Sequence, residues 1–390
     1  MKLRACSSAL VTAALTLGLT AVACPAGAAT ASPAGAADQR PFLDRLNTVS
    51  TVASTVPENG DVNPYGTFTI RESIGDLHRG NVLVSNFNNS ANPPSGEQGR
   101  GTTLVQITPG GTRTTFATID PNNLPGPCPG GVGLTTALTV LPGGWVVVGS
   151  LPTADGSSAT AMAGCLLVLD KHGTVRETIA NDYINGPWDM TAVSTEKRGG
   201  GSGRTELFVT NVLNGTVAGG GAEVDEGTVL RITLCTEGDQ PPQPVATTVI
   251  GSGFPERTDP AALVVGPTGV ALGRDDTLFV ADTVRSRITA IPHALTREDS
   301  AGIGRVVTEG GSLNGPLGMA LTPRGDILTV NGGDGNIVET TEHGRQVATK
   351  QINNEGTPPG AGALFGLALD LDHDAVYFVN NADNALDVLH

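Results

Sequence analysis

Gly266-Pro267-Thr268-Gly269-Val270-Ala271-Leu272, then Gly273-Arg274-Asp275-Asp276, then Thr277-Leu278-Phe279-Val280-Ala281-Asp282 read as an apolar strand, a polar turn and a second apolar strand ending in a small polar residue. Arg287-Ile288-Thr289-Ala290-Ile291 and Gly304-Arg305-Val306-Val307-Thr308 supply two more strands, so the unit holds four. Four antiparallel strands in a row are a propeller blade. Gly315-Pro316-Leu317-Gly318-Met319-Ala320-Leu321 begins the same pattern again. It also starts from Asn63-Pro64-Tyr65-Gly66, Gly131-Val132-Gly133-Leu134, Gly186-Pro187-Trp188-Asp189 and Leu364-Phe365-Gly366-Leu367. The six second strands end in Val84-Ser85-Asn86, Val148-Gly149-Ser150, Val209-Thr210-Asn211, Val280-Ala281-Asp282, Val330-Asn331-Gly332 and Val379-Asn380-Asn381. Such a unit cannot bury its own faces and must stack on its neighbours.

The reading is therefore all-β, a six-bladed β-propeller in one domain over residues 41–390. A seven-bladed ring and an open solenoid are the alternatives. The last unit lacks a fourth strand: after Ala385-Leu386-Asp387-Val388-Leu389 the sequence stops at His390. Val49-Ser50-Thr51-Val52-Ala53-Ser54-Thr55-Val56 alternates like a strand ahead of the first blade. It is expected to complete the last blade, which removes the open edges. The endings lie about 50 to 70 residues apart, wider than compact propeller repeats of roughly 40–50, so the surplus falls in loops.

The chain has 390 residues, 53 Gly, 26 Pro, only 16% charged residues and a formal net charge of −15. This turn-rich composition suits many short strands. The acidity and the lack of a basic, aromatic-interleaved stripe exclude nucleic acid as a partner. Lys2 and Arg4 followed by an apolar run from Ala9 to Ala23 and by Ala26-Gly27-Ala28 read as a signal peptide, residues 1–28. Residues 29–40 read as a disordered lead-in. The mature protein is expected to be secreted, monomeric and without membrane insertion. A lipid anchor on Cys24 is the weaker alternative, because the usual Leu is missing three residues earlier. Cleavage leaves Cys128, Cys165 and Cys235; a Cys128–Cys165 disulfide with Cys235 free is expected, because the first two fall at the same face of blade two.

The segment from Pro267 through Thr283, with Arg287-Ile288, resembles an NHL repeat. NHL-like propellers include binding scaffolds. They are also similar to enzymes of the virginiamycin B lyase, peptide-amidating lyase, gluconolactonase and strictosidine synthase groups. The resemblance implies a ligand site at the mouth where first strands start and second strands end, called the top here.

Strand order puts His78, His172, His293, His343 and His373 in turns on the opposite face, and His390 is terminal. Imidazole-based lyase chemistry at the mouth is therefore disfavoured, and solvated turns are the plain role for these residues. Tyr65, Asn86, Trp188, Asn211 and Asn381 are the ligand-binding candidates. For Tyr65 and Trp188 the competing role is core packing. Asp189, Asn211 and Asp282, with Glu223, Asp225 and Glu226 nearby, form an oxygen-rich sector suited to Ca²⁺ or Mg²⁺. The gluconolactonase resemblance implies such a cation, although most first-strand starts here carry Gly, Thr or Leu, not Asn or Glu. The competing role is capping of strand-end amides. Asp370-Leu371-Asp372-His373-Asp374 lacks the Gly and Glu of a calcium loop. Two functions follow as expectations. One is an exported propeller binding a small molecule, glycan or peptide at its mouth. The other is a cation-assisted hydrolase or lyase of the lactonase-like type; whether the protein is an enzyme stays open at this point.

Overall fold

A computed structural model describes residues 40–91, 96–195 and 203–390. The expected signal peptide, residues 29–39 of the expected lead-in, and most of the glycine-rich loop before Gly203 lie outside the described residues. Six antiparallel sheets form the ring. The first is Val62–Thr69, Val82–Asn88, Thr103–Ile107 and Arg113–Thr118, and the second is Leu134–Leu141, Trp145–Ser150, Cys165–Leu169 and Val175–Ile179. The third runs Gly186–Thr195, Gly203–Val212, Val224–Thr236 and Gln243–Asp259, with a fifth short strand, Leu263–Val265. The fourth and fifth follow the repeat read from sequence: Pro267–Leu272 to Arg305–Glu309, and Pro316–Leu321 to Gln346–Gln351. Among the described residues the only α-helix is Thr216–Gly219, and no helix is long and apolar enough to cross a membrane.

The sixth sheet is Leu364–Asp370, Ala375–Asn380, Ala385–Leu389 and, outermost, Val49–Ser54. That last strand pairs from Val49↔Leu389 to Ser54↔Ala385. The chain ahead of it is fastened too. Phe42 and Leu43 donate their amides to the buried Glu339 carboxylate of the fifth blade, at 2.8 and 2.9 Å. Phe42, Leu43 and Leu46 join the core between blades five and six.

The middle two strands of each sheet are largely buried on both faces, which is why they read as nearly continuous apolar runs, while outermost strands such as Arg305–Glu309 and Gln346–Gln351 are partly exposed. In Trp145–Ser150 the period of two divides the side chains. Val146 and Val148 pack toward blade one, while Val147 packs toward blade three. Around the axis the inner strands approach so closely that glycine is required. A Cβ on Gly269, Gly318 or Gly366 would lie 2.2 Å from the carbonyl oxygen of Leu317, Phe365 or Tyr65 on the next blade.

The small polar residues that mark the strand endings, and their partners on the inner strands, stitch one blade to the next. Ser85 Oγ donates to Thr135 O and Thr135 Oγ1 to Pro187 O, both at 2.7 Å. Thr210 Oγ1 donates to Thr268 O at 2.6 Å, and Thr283 Oγ1 to Pro316 O at 2.7 Å. The Cys128–Cys165 disulfide is present, with Cα atoms 5.2 Å apart, clamping the entry of blade two to its third strand. Cys235 is a correction: in the full chain it is disulfide-bonded rather than free.

Candidate functional site

The top mouth is filled by the protein itself. The connection from blade three to blade four extends into a hairpin, Gln243–Asp259 paired with Leu263–Val265, whose tip folds over the axis. Asp259 holds the tip by accepting the amides of Ala261 and Ala262 at 2.9 and 3.2 Å. Ala262, Leu263, Val264 and Val265 are buried against Tyr65, Trp188, Leu317 and Phe365. Tyr65 stacks between Phe87 and Phe365, with ring centroids 4.5 and 4.1 Å away. Its hydroxyl donates to Ala261 O at 3.1 Å, and Trp188 Nε1 donates to Val264 O at 3.1 Å. Burial pushes the Tyr65 phenol far above its usual range, against the pull of the Asn63 side chain. The two aromatics read as ligand platforms thus hold a piece of the chain.

The other candidates are found in three settings. Asn211 Oδ1 accepts the amides of Asn185 and Gly186 at 2.9 and 3.1 Å, which is the capping role. Asp282 is fully buried and paired with Arg287, with Nε and Nη2 each 2.7 Å from Oδ2. Burial raises its carboxyl while Arg287 pulls it down. Glu223 is paired with Arg285. Asp189 lies deeper, on the channel wall, where Oδ1 accepts Met190 N at 2.8 Å and Oδ2 accepts Val270 N at 3.3 Å. The three proposed ligands therefore do not fit one cation, because each carries its own hydrogen bonds or counter-charge. Among the described residues no group of three His, Cys, Asp or Glu side chains is arranged to hold a metal ion. The Asp370–Asp374 stretch is a hairpin turn in which Asp370 accepts Asp372 N and meets His373 Nδ1 at 2.8 Å. His78, His172, His293 and His343 also occupy connections on the far face, where His172 Nδ1 lies 3.1 Å from Asp76.

Beside the hairpin tip, two top-face cavities are lined by described residues. One, of about 240 Å³, lies over blades four to six and includes Arg257 and Asp259, paired with each other at 3.2 Å. The other, of about 310 Å³, lies between blades one and six and is lined by amides: Asn63, Asn88, Gln98, Asn381 and Asn384, with Pro260 and Ala261 as one wall. Asn63 N donates to Asn384 Oδ1 at 2.7 Å, Asn63 Nδ2 to Asn88 Oδ1 at 3.0 Å, and Gln98 Nε2 to Pro260 O at 2.7 Å. Asn63 Oδ1 and Gln98 Oε1 are buried and accept no hydrogen bond. Of the sequence candidates Asn381 lines this pocket. Asn86 is next to it in the chain's first blade, with Nδ2 donating to Thr55 O at 3.1 Å. Sequence reasoning missed Asn63, Asn88, Gln98 and Asn384. Asn63-Pro64 at a first-strand start was the one signal for Asn63; Asn88 and Gln98 come from the end of a blade-one strand and the loop after it, and Asn384 from a turn of blade six.

The chain matches no protein-family profile and no curated protein sequence. Solved structures do resemble it. A putative gluconolactonase superposes with a TM-score of 0.54 at 13% identity, covering 90% of this chain and 96% of its own. A gluconolactonase from Xanthomonas campestris gives 0.52 at 13%, covering 87% and 88%. Regucalcin from Agrobacterium tumefaciens, described as a calcium-binding protein, gives 0.51 at 12%, covering 87% and 93%. At these identities the likeness establishes the six-bladed propeller fold.

Proposed function

We propose that the protein is an exported binding propeller that holds a small neutral polyhydroxyl ligand, of saccharide size, in the amide-lined pocket at its top face. The observation that carries this reading is the pocket's wall of five carboxamide side chains, two of whose oxygens are buried without a donor. Carboxamides offer both donors and acceptors without charge, which matches hydroxyl groups on a ring. An unsatisfied buried acceptor costs about 1–3 kcal/mol, and a ligand hydroxyl removes that cost on binding. The volume is at the lower end for small-molecule sites. Export is supported by the N-terminal pattern of Lys2, Arg4 and the apolar run, and a disulfide suits an oxidising compartment.

The test uses protein recovered from culture medium, whose intact mass is expected to correspond to a start at Ala29. Calorimetric titration with a panel of neutral mono- and disaccharides is expected to find a binder. Gln98→Ala and Asn381→Ala should each weaken it about tenfold, near 1.4 kcal/mol; Asn381→Ala should leave the melting temperature little changed, while Gln98→Ala also loses the hydrogen bond to Pro260 O and should lower it. A panel without any binder, or binding indifferent to both substitutions, sinks the reading. The cation-assisted alternative needs a different ligand set from Asp189, Asn211 and Asp282, whose atoms are engaged separately.

A further inference from the structure

The geometry points to a second site on the opposite face: the central channel seats a small alkylammonium ligand, with its charged head against Asp189 and the Thr67 and Thr136 hydroxyls. The channel is a cavity of about 360 Å³ lined by the inner strands of all six blades. It opens at the ends of those strands, where Arg71 is exposed, and it closes inward at Thr67, Thr136, Asp189 and Gly366. Above that level the Tyr65, Trp188 and Phe365 layer and the hairpin seal it. It is a blind well.

The chemistry at the closed end is incomplete. Asp189 stands where blades one, four, five and six have Gly66, Gly269, Gly318 and Gly366, so its carboxyl is an addition to the ring rather than part of the repeat. It is 9% exposed, and both oxygens accept backbone amides but no cation. Among the described residues, Asp189 and Arg71 are the only ionisable ones lining the channel. Thr67, Thr69 and Thr136 line the same cavity, and their Oγ1 atoms are buried with no hydrogen-bond partner; Thr136 is 4% exposed. Buried hydroxyls and a buried carboxylate without a counter-charge are costly when unmatched. An ammonium group has three donors and one positive charge, so it supplies the missing charge and donates to hydroxyl oxygens. Leu138, Met190, Met319 and Leu367 along the wall suit an alkyl chain running toward the opening.

Calorimetric titration of the full chain with n-butylamine, n-hexylamine and the matching alcohols tests this. Amines should bind and alcohols should not. Asp189→Asn should weaken amine binding at least tenfold, and Thr136→Val about fivefold, the factor for one hydrogen bond. Met319→Trp, which fills the well, should abolish binding. Because Asp189 must ionise while an amine stays charged to about pH 10, affinity should rise between pH 6 and pH 9. Should Asp189→Asn fail to fold, the Met319→Trp variant and the pH profile still decide. Alcohols binding as well as amines, binding that survives Met319→Trp, or no amine binding by the folded wild-type chain each overturns the proposal. None of these outcomes bears on the saccharide pocket, whose residues lie on the other face.

Discussion

Asp189 and Glu256 are carboxyls held largely out of contact with water, 9% and 0% exposed. Burial pushes Asp189 from 3.8 to about 8 against the two amides it accepts, from Met190 and Val270. Burial likewise takes Glu256, at the base of the hairpin, from 4.5 to about 7, against the pull of the Asn214 amide, whose nitrogen is 2.7 Å from Oε1. In both cases the native value lies above the unfolded one, so the unfolded chain gives up these protons first. The stability tied to them is fully present below about pH 4 and is lost as the pH rises through about 7 and 8. The melting temperature should therefore fall from about pH 4 and level off above about pH 8. Glu256→Gln should remove the share of the fall that ends near pH 7, and Asp189→Asn the share that runs on to about pH 8. Thermal melts across that range check this; a profile that is level in the wild type would show that neither acid is held as protonated as its burial demands.

The element that decides what the mouth can do is the hairpin between blades three and four. Leu263 sits in it at φ 63°, a region where a bulky residue costs of order 1–3 kcal/mol. It stays there because Leu263 and Val264 are 2% and 0% exposed, and burial of such side chains gives roughly 1.5–3 kcal/mol each. Tyr65 adds the hydrogen bond to Ala261 O. Tyr65→Phe keeps the stacked ring and removes only that donor, so it should cost about 1–3 kcal/mol in chemical denaturation and speed proteolytic nicking at residues 259–262. A cost under about 0.5 kcal/mol, the scale of a neutral surface change, with no new cleavage would mean the hairpin is held without it. The blades were legible because each is a local pattern: alternating apolar residues, a polar turn, a small polar ending. The hairpin was not. Ala261-Ala262-Leu263-Val264-Val265 is an apolar run with no place among the four strands of blade three, and that surplus was its one trace in the sequence. What it covers is set by contacts with Tyr65 and Gln98, 196 and 162 residues away, which no local pattern records. The same distance hid the amide pocket, while Asp189 was legible as an exception to the glycines but was read as a mouth residue rather than a channel one.

At the scale of the whole ring, every blade rests on two neighbours, so the join between the first and last carries the same load as any other and is the only one made by distant chain segments. Val49–Ser54 covers the outer edge of Ala385–Leu389, and the amides of Asn47 and Thr48 both reach His390 O at 2.9 Å. Ahead of the strand, Phe42 and Leu43 anchor on Glu339. Two truncations separate these contributions. A chain beginning at Thr48 keeps the strand and loses the anchor, so it should stay folded and elute in the same state as the full chain, with a lower melting temperature. A chain beginning at Thr55 leaves Ala385–Leu389 as an exposed, apolar edge strand, which templates pairing with other chains. It should elute as oligomers in size-exclusion chromatography with light scattering, or fail to stay soluble. A monomeric, cooperatively melting Thr55 chain would show that five complete blades and a three-stranded sixth close the ring unaided. The strand would then be a surface addition, and the packing of Leu364–Asp370 of blade six on Val62–Thr69 of blade one would supply the closure instead.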